Sequence, residues 1–239
     1  MVSVEVIGDQ SLPVVQAWLQ FIETNCVNIR TIQKIDFSKE IPSIYDLDDR
    51  KFSIDFNLDR RNYHKKKGSI KTELISKALG CGKQGLRILD LSAGLGIDAV
   101  FLAQLGYSVL ALERNPLVFL ALQTAFEKLP DAQKTNLKFQ FCSAQDFLKT
   151  SKLHFDCIYF DPMFPDKKKS ALPRQEMILF RNLVGSDSDS AVVIEQALAF
   201  SQVSRIVVKR PLKAPILFGK PRSSIAGKLI RFDVYGGRG

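Results

Sequence analysis

The chain has 239 residues, of which 46% are hydrophobic and 17 are phenylalanine, enough to bury the core of one large domain with a small appendage. No apolar run approaches the roughly 20 residues that span a bilayer, and the N-terminus lacks the pattern of a signal peptide. We therefore expect no membrane span and a cytoplasmic location. The formal net charge of +9 fits a polyanionic partner, and charge alone leaves RNA, DNA and an anionic membrane open.

The first 60 residues predict a small N-terminal extension. Val2–Ile7 alternates apolar and polar residues like a strand, Leu12–Ile22 has helical spacing, and Phe52–Phe56 alternates again. We therefore expect the main domain to occupy residues 61–239. It begins with a helix predicted over Ser69–Leu79, which the glycines that follow bring to an end.

From Leu86 onward, strand-like and helical segments alternate along the chain. The predicted strands are Leu86–Leu91, Tyr107–Leu112, Leu137–Cys142, Phe155–Phe160 and Arg205–Val208. The predicted helices are Asp98–Leu105, Leu117–Leu129, Gln175–Leu183 and Ser190–Phe200. Because the strands are largely apolar, we predict a doubly wound, mostly parallel, Rossmann-like α/β sheet with helices on both faces. The tail, Ser223–Tyr235, predicts an antiparallel hairpin.

A glycine-rich turn follows the first strand of this sheet. Gly94 and Gly96 lie between strand and helix, where residues without a Cβ allow a tight turn and bring backbone N–H groups close to a ligand. Asp90 ends the strand, where a carboxylate can receive the methionyl ammonium of S-adenosylmethionine. Glu113 ends the second strand, where its two oxygens can accept both ribose hydroxyls. These features favour S-adenosylmethionine as the cofactor.

Other interpretations of this region stay open. Gly94-x-Gly96-x-x-Ala99 is close to a dinucleotide fingerprint, although the third glycine that allows close pyrophosphate approach is missing. Asp90 and Asp98 are also typical of helix or turn caps. After the third strand, Ser143-Ala144 occupies the place where related folds contact adenine. We expect Asp146, just beyond it, to be the N-cap of the short helix that follows.

The segment after the fourth strand carries the predicted chemistry. Asp161-Pro-Met-Phe-Pro165 has the [Asn/Asp]-Pro-x-aromatic form. The Asp161 carboxylate and the Pro162 carbonyl can accept two hydrogen bonds from an exocyclic –NH2, which takes the nitrogen lone pair out of conjugation and directs it at a sulfonium methyl. Phe164 can stack on a base, and the prolines stiffen the loop. The sequence therefore predicts methyl transfer to the amino group of a flat base.

Basic residues are concentrated in a few segments. From Arg205 to Gly239, nine lysines and arginines stand against one acid, and five more lie between residues 60 and 67. The alternative to a binding role is an ordinary solvated surface, but the asymmetry favours contacts with RNA phosphates. The predicted RNA-binding residues are Arg60, Arg61, Lys65, Lys66, Lys67, Lys167, Lys168, Lys169, Lys209 and Arg210.

The cysteines show no functional spacing. Cys26, Cys81, Cys142 and Cys157 are scattered, with no CxxC motif and no paired Cys and His motifs of the zinc type. We therefore expect reduced thiols in a reducing compartment and no metal site.

Taken together, the motifs resemble those of one known family. They are Asp90-x-Ser-Ala-Gly-Leu-Gly-x-Asp98, Glu113-Arg-Asn-Pro116, Asp161-Pro-Met-Phe-Pro165, Lys169-Ser-Ala-Leu172, Val207-Val-Lys-Arg-Pro211 and Arg231-Phe-Asp-Val-Tyr235. Over roughly residues 50 to 239 the chain is similar to the bacterial 16S ribosomal RNA guanine-N2 methyltransferases of the RsmJ family. The resemblance implies methylation of the exocyclic amine of a guanosine near the 3′ end of 16S rRNA, with S-adenosylmethionine as cofactor and the rRNA, alone or within the small subunit, as partner.

The resemblance also implies cofactor contacts at particular positions. These are Ile97, Asp98, Glu113, Arg114, Ser143, Ala144 and Asp161. The sequence departs from the family at two of them: Ile97 stands where a basic residue is expected, and Ser143-Ala144 replaces a Ser-Ser pair. Contacts made by the backbone can survive both changes.

Two alternatives remain open. Another amine methyltransferase, acting on adenine N6 of DNA or on a protein glutamine, would use a related Asn/Asp-Pro-Pro-aromatic loop, and Met163 in place of the second proline weakens that interpretation. The other alternative is a non-catalytic RNA-binding or ribosome-assembly module on a decayed fold. The retained Asp90, Glu113 and Asp161 argue against decay.

Overall fold

Strands and helices follow one another closely in the computed structural model, which describes residues 4–25, 27–57, 74–80, 85–163, 175–185 and 189–236. The first elements are β1 (Glu5–Ile7), α1 (Pro13–Thr24), β2 (Ile32–Asp36), β3 (Ser43–Asp46), β4 (Lys51–Phe52), α2 (Leu74–Leu79), β5 (Arg87–Asp90), α3 (Ile97–Gln104), β6 (Ser108–Glu113) and α4 (Pro116–Glu127). They are followed by α5 (Asp131–Lys134), β7 (Leu137–Phe141), α6 (Ala144–Thr150), β8 (Phe155–Phe160), α7 (Gln175–Val184), α8 (Ser190–Ala199), β9 (Val203–Pro211), β10 (Ser223–Ala226) and β11 (Ile230–Gly236).

One compact unit contains β1 to β4 together with α1, α4 and α7. Its sheet has the order β1-β2-β3-β4, in which β1 pairs parallel with β2 and the other pairs are antiparallel. Trp18 of α1 is almost fully buried, and its indole N–H donates to Oγ1 of Thr124 on α4 at 3.0 Å. The rings of Phe52 and Phe180 stack with centroids 5.8 Å apart. The buried hydrogen bond therefore joins α1 to α4, and the aromatic stack joins α7 to β4.

The sequence predicts this unit only in part. The strand expected at Val2–Ile7 and the helix expected at Leu12–Ile22 are confirmed as β1 and α1, whereas Phe52–Phe56 contributes only its first residue to a strand. Alternation does not predict β2, because Ile32 and Ile35 are both buried although they are three residues apart. The register with β3 shifts between Ile32 and Lys34, and such an irregularity breaks the period of two. The predicted boundary at residue 60 lies outside the described residues.

A second compact unit contains the remaining described elements. Its described strands form a sheet in the order β10-β11-β9-β8-β5-β6-β7. The strands β5 to β9 run parallel to one another, and β11 pairs antiparallel with both β9 and β10. The predicted parallel sheet with an antiparallel hairpin at its end is thereby confirmed.

Helices cover both faces of this second sheet. One face carries Leu89, Ile158 and Ile206, which lie in a single buried cluster with residues of α6 and α8. Side chains alternate along a strand, so Arg205 projects from the other face, where it donates to the Ala78 carbonyl of α2 at 2.9 Å. The sheet is therefore doubly wound, and the carboxyl ends of its parallel strands lie along one edge, where such folds bind ligands.

Candidate active site

Three carboxylates mark the carboxyl edge of the parallel sheet. Asp90 is the last residue of β5, Glu113 is the last residue of β6, and Asp161 follows the last residue of β8. The strand β5 pairs directly with both β6 and β8. Because the strands are parallel neighbours, the three acids predicted from the sequence come together at one edge of the sheet.

The turn after β5 requires its two glycines. Gly94 and Gly96 have φ values of 52° and 72°, in the left-handed region that side chains with a Cβ rarely adopt. Gly96 is also the N-cap of α3, and its N–H donates to the Ala93 carbonyl at 2.7 Å, which closes the turn. The turn thus presents backbone N–H groups at the start of a helix, the arrangement that favours an anionic or polar ligand.

Glu113 fastens this turn to the end of β6. Its side chain is buried, and Oε2 accepts a hydrogen bond from the N–H of Gly94 at 2.9 Å. The predicted partners were two ribose hydroxyls, and the structure adds this contact with the backbone. The binding of a ribose by Glu113 stays a prediction.

Asp90 is a buried acid held by Ser92. Asp90 is 1% exposed, and its Oδ1 accepts from the backbone N–H of Ser92 at 2.9 Å and from its hydroxyl at 3.3 Å. Burial raises the pKa of Asp90 to about 7, and the carboxylates of Asp98 and Asp161 add to the rise while the bonds from Ser92 oppose it. A cation placed beside this carboxyl would favour its ionised form, which suits the predicted contact with an ammonium group.

Ser92 also holds the loop after β8. Its hydroxyl oxygen accepts the backbone N–H of Asp161 at 2.8 Å. One serine therefore bonds to both carboxylate residues at the ends of β5 and β8. Sequence reasoning did not single out Ser92, although its place within the Asp90-to-Asp98 motif is a signal that could have identified it.

A second network joins α3, β8 and β9, and we call it the acid–lysine cluster: Asp98, Tyr159, Asp161 and Lys209. The ammonium of Lys209 lies 2.6 Å from Oδ2 of Asp98 and 2.8 Å from Oδ2 of Asp161. The hydroxyl of Tyr159 donates to the same Asp98 oxygen at 2.6 Å. Asp98, which the resemblance assigns to the cofactor, thus bonds to two side chains of this cluster.

The electrostatics of the cluster keep both of its donors protonated. Burial alone would lower the pKa of Lys209, but the adjacent carboxylates of Asp161 and Asp98 outweigh it and raise that pKa above its usual range. Burial, and then the same two carboxylates, raise the pKa of Tyr159 well above its ordinary value. Each donor therefore remains a donor throughout the physiological range.

Several other predicted contacts lie close to this edge. Ile97 is the first residue of α3. Arg114, directly after β6, forms an ion pair with Asp189 at 2.9 Å, and Gln145 of α6 donates to the same Asp189 oxygen at 2.7 Å. Cofactor contacts by Ile97 and Arg114 stay predictions.

The helix α6 corrects one expectation. Its N-cap is Ser143, whose Oγ accepts the backbone N–H of Asp146 at 3.1 Å. Asp146 lies within the first turn, and its carboxylate accepts from the Ser143 hydroxyl at 2.6 Å. The expectation that Asp146 is the N-cap is therefore wrong, because the helix begins at Ala144, two residues before Asp146. Adenine contacts at Ser143 and Ala144 stay predictions.

Eight of the ten predicted RNA-binding residues lie outside the described part of the chain. Within the predicted loop, Pro162 is buried. Phe164 of the same loop lies outside the described part of the chain. So do the predicted RNA-binding residues Arg60, Arg61, Lys65, Lys66, Lys67, Lys167, Lys168 and Lys169.

Lys209 and Arg210 lie in β9 and project to opposite sides of it. Lys209 belongs to the acid–lysine cluster. Arg210 is 3% exposed and donates to the Pro215 carbonyl. Phosphate binding by this pair stays a prediction, and neither side chain is freely extended toward solvent.

Other kinds of site have no support in the described part of the chain. Among those residues, no group of three or more His, Cys, Asp and Glu side chains could hold a metal ion, and no helix is long and apolar enough to cross a membrane. Cys142 and Cys157 are free thiols, and burial raises the pKa of Cys157 above its ordinary value.

Comparison with known proteins agrees with this geometry. A family model of SAM-dependent methyltransferases matches residues 29–237. The ribosomal RNA small subunit methyltransferase J of Bdellovibrio bacteriovorus is 46% identical over 194 residues, which cover 80% of this chain and 77% of the relative. The corresponding protein of Coxiella burnetii is 42% identical over 173 residues, which cover 70% and 68%.

A solved structure extends the similarity over the whole chain. The crystal structure of a SAM-dependent methyltransferase from Neisseria gonorrhoeae has a TM-score of 0.70 and 25% sequence identity, and it covers 99% of this chain and 97% of its own. The predicted fold class and the predicted cofactor are both confirmed. The chain belongs to the SAM-dependent methyltransferases and, within them, to the family of ribosomal RNA small subunit methyltransferase J.

Proposed function

We propose that this enzyme methylates the exocyclic N2 amine of a guanosine near the 3′ end of 16S rRNA. The observation that carries the proposal is the anchoring of Asp161 at the end of β8. Its N–H bonds to Ser92 at 2.8 Å and its carboxylate to Lys209 at 2.8 Å, beside the glycine turn of the cofactor site. The names of the relatives specify the RNA of the small ribosomal subunit, and the carboxylate supplies the chemistry for an amine.

The residues at the edge of the sheet fit S-adenosylmethionine, which supplies a methyl group on a sulfonium when it is bound. The turn at Gly94 and Gly96 would offer backbone N–H groups to its polar atoms. Asp90, buried and with a raised pKa, would bind the ammonium in its ionised form. Glu113, at the end of the neighbouring strand, would accept hydrogen bonds from the ribose.

Asp161 would orient the amine of the substrate. An exocyclic amine has two N–H donors, and the Asp161 carboxylate and the Pro162 carbonyl offer acceptors for both. Such an arrangement turns the nitrogen lone pair away from the ring and toward the donor, and orientation of this kind contributes a large part of many enzymatic rates. The nitrogen becomes acidic only once it has been methylated, so Asp161 needs to orient it rather than to deprotonate it beforehand.

The described part of the C-terminal segment supplies cations for an RNA backbone. The segment from residue 205 holds a single acid, Asp233. Asp233 is 1% exposed and its Oδ1 accepts from Nε of Arg231 at 2.9 Å, so it does not oppose the charge at the surface. The exposed cations of this segment, which we call the C-terminal basic surface, are Lys213, Lys220, Arg222 and Lys228.

The target guanosine must leave its base pair or stack to react. An amine within a paired or stacked base cannot enter a recessed site, so enzymes of this kind act on unpaired or flipped nucleotides. We infer that the substrate is 16S rRNA, free or within the small subunit, and that the protein acts in the cytoplasm, where that RNA lies.

Methylation of defined RNA tests the proposal. Small subunits, and 16S rRNA extracted from them, would be prepared from cells that lack the gene and incubated with the enzyme and S-adenosylmethionine carrying a labelled methyl group. We expect the label in N2-methylguanosine after digestion to nucleosides, in one or both substrates. Label in N6-methyladenosine, or in protein alone, would replace this proposal with one of the other amine methyltransferases.

A further inference from the structure

Lys209 occupies a position that suits the active site better than the RNA surface. It lies on the same face of β9 as Arg205, toward α2 and α3, and its side chain is 24% exposed. Two carboxylates, from different elements, meet its ammonium: Asp98 at 2.6 Å and Asp161 at 2.8 Å. A lysine that makes two short ion pairs with acids has little net charge to offer a phosphate.

We propose that Lys209 is a positioning residue that holds the carboxylate of Asp161 in the orientation that accepts the amine of the substrate. This inference rests on the proposed function of Asp161. Among the described residues, Ser92 accepts its backbone N–H at 2.8 Å, and Lys209 donates to its side chain at 2.8 Å. A backbone anchor together with a side-chain anchor fixes the rotamer, which the backbone bond alone leaves free.

Asp98 and Tyr159 keep Lys209 itself in place. A lysine has four rotatable bonds and would lose its orientation if Asp161 were its sole partner. Asp98 provides the second partner through Oδ2. The Tyr159 hydroxyl donates to the same oxygen at 2.6 Å and so holds it in place. The cluster therefore runs as a chain of contacts from Tyr159 through Asp98 and Lys209 to Asp161.

Charge gives Lys209 a second effect on Asp161. Four titratable groups of the described elements interact with Asp161 or with its lysine partner: Asp90 at the end of β5, Asp98 on α3, Tyr159 on β8 and Lys209 on β9. Of these four, Lys209 is the one cation, and the neighbouring acids disfavour an ionised carboxylate at residue 161. The positive charge of Lys209, 2.8 Å from the Asp161 carboxylate, therefore favours its ionised form, which accepts hydrogen bonds.

The test compares Lys209→Met, which keeps the unbranched stem of the side chain and removes its ammonium group, with the matched control Lys152→Met. Lys152 is exposed and precedes β8, at the end of that strand opposite to Asp161. For Lys209→Met we expect a fall in kcat of at least about tenfold, with the KM for rRNA and its salt dependence unchanged. The pH below which kcat falls should rise by about one unit. The control should match the wild type in kcat, in the KM for rRNA, in the salt dependence of that KM and in the pH below which kcat falls.

Crystal structures of the wild type and of Lys209→Met provide a readout that needs no substrate. We expect the Asp161 carboxylate to turn to a different rotamer in the variant. The same rotamer in both crystals would overturn the inference, even if the RNA substrate proved to be another one. A rise in the KM for rRNA with kcat and its pH profile unchanged would also overturn the inference. It would show instead that Lys209 binds the RNA.

A gentler variant covers the case in which Lys209→Met does not fold. Tyr159→Phe removes the hydroxyl that fixes Asp98 and leaves every charge in place. We expect a smaller loss of kcat, of about threefold to tenfold, with the affinity for S-adenosylmethionine retained. A kcat equal to that of the wild type would count against the chain of contacts. Failure of the wild type to methylate rRNA would instead contradict the proposed function, and the two failures are distinguishable.

Discussion

Ser92 accepts a hydrogen bond from the backbone N–H of Asp161 at 2.8 Å. The same serine donates its own N–H to Asp90 at 2.9 Å. The residue that would orient the substrate is therefore fastened to the turn that would hold the cofactor. Because methyl transfer requires the two reactants to be aligned within a fraction of an ångström, this connection places both halves of the site on one rigid edge.

Removal of the Ser92 hydroxyl should lower turnover more than stability. In Ser92→Ala the N–H of Asp161 loses its acceptor, and one such bond contributes on the order of 1 kcal/mol, or about fivefold. We expect kcat to fall by about fivefold to fiftyfold, since misplacement of Asp161 adds to the lost bond. Steady-state kinetics on rRNA measure the change, and Ser92→Thr, which keeps a hydroxyl, should retain most of the activity. Equal rates for all three proteins would show that the connection has no catalytic effect.

Asp90 should make the folded protein less stable as the pH rises toward neutrality. The pKa of Asp90 is raised to about 7 in the folded protein, whereas an aspartate in the unfolded chain has a pKa of about 3.9. Its contribution to the free energy of unfolding is therefore fully present below about pH 4 and is lost as the pH rises through about 7. Urea titrations without cofactor, between about pH 4 and pH 8, should show this loss in the wild type and a flatter profile in Asp90→Asn. Parallel profiles for the two proteins would contradict the raised pKa.

Much of the second unit is predictable from the sequence, because its strands are short apolar runs between helices of clear periodicity. Asp90 and Asp161 could be recognised for the same reason: each ends such a run, and the carboxyl ends of parallel strands meet at one edge. The strand β2 is harder to predict from the sequence, because the irregular register at Ile32 disrupts the alternation of buried and exposed residues.

The partners of a charged side chain are harder to predict than its place in the chain. Lys209 and Arg210 are adjacent in a basic segment, and both are expected to bind RNA on that ground. Alternation along β9 sends them to opposite sides, where Lys209 meets two acids and Arg210 meets a backbone carbonyl. Charge counts along the sequence do not contain this information, because the acids come from elements far away in the chain.

Glu113 should affect cofactor affinity through both of its proposed roles. In Glu113→Ala the ribose loses a charged acceptor and the N–H of Gly94 loses its partner at Oε2. We expect binding of S-adenosylmethionine to weaken by about 1–3 kcal/mol. Calorimetry measures the affinity. Glu113→Gln keeps an acceptor without the charge, so its affinity should lie between those of the wild type and Glu113→Ala. Unchanged affinity in Glu113→Ala would show that Glu113 does not contact the cofactor. NAD binding as tight as that of S-adenosylmethionine would contradict the selectivity of the site for S-adenosylmethionine.

The C-terminal basic surface should govern how RNA binding responds to salt. Replacement of Lys213, Lys220 and Lys228 by glutamine removes three exposed cations. Each phosphate contact with single-stranded RNA contributes about 0.7 to the slope of log affinity against log salt. We expect the slope to decrease by about one to two, with the affinity for S-adenosylmethionine unchanged. A triple variant at exposed Lys138, Lys149 and Lys152 controls for net charge, and identical slopes in all three proteins would place the RNA elsewhere.

The proposed function depends above all on the orientation of a guanosine amine of 16S rRNA by Asp161. Its most direct test is mass analysis of nucleosides from the 16S rRNA of cells that lack the gene, complemented with the wild type or with Asp161→Ala. Both proteins should fold and bind S-adenosylmethionine, as circular dichroism and calorimetry would verify. We expect one N2-methylguanosine to be absent without the gene and to return with the wild type. With Asp161→Ala it should stay absent or below about 1%. Full restoration by Asp161→Ala, or an unchanged profile without the gene, would contradict the proposed function.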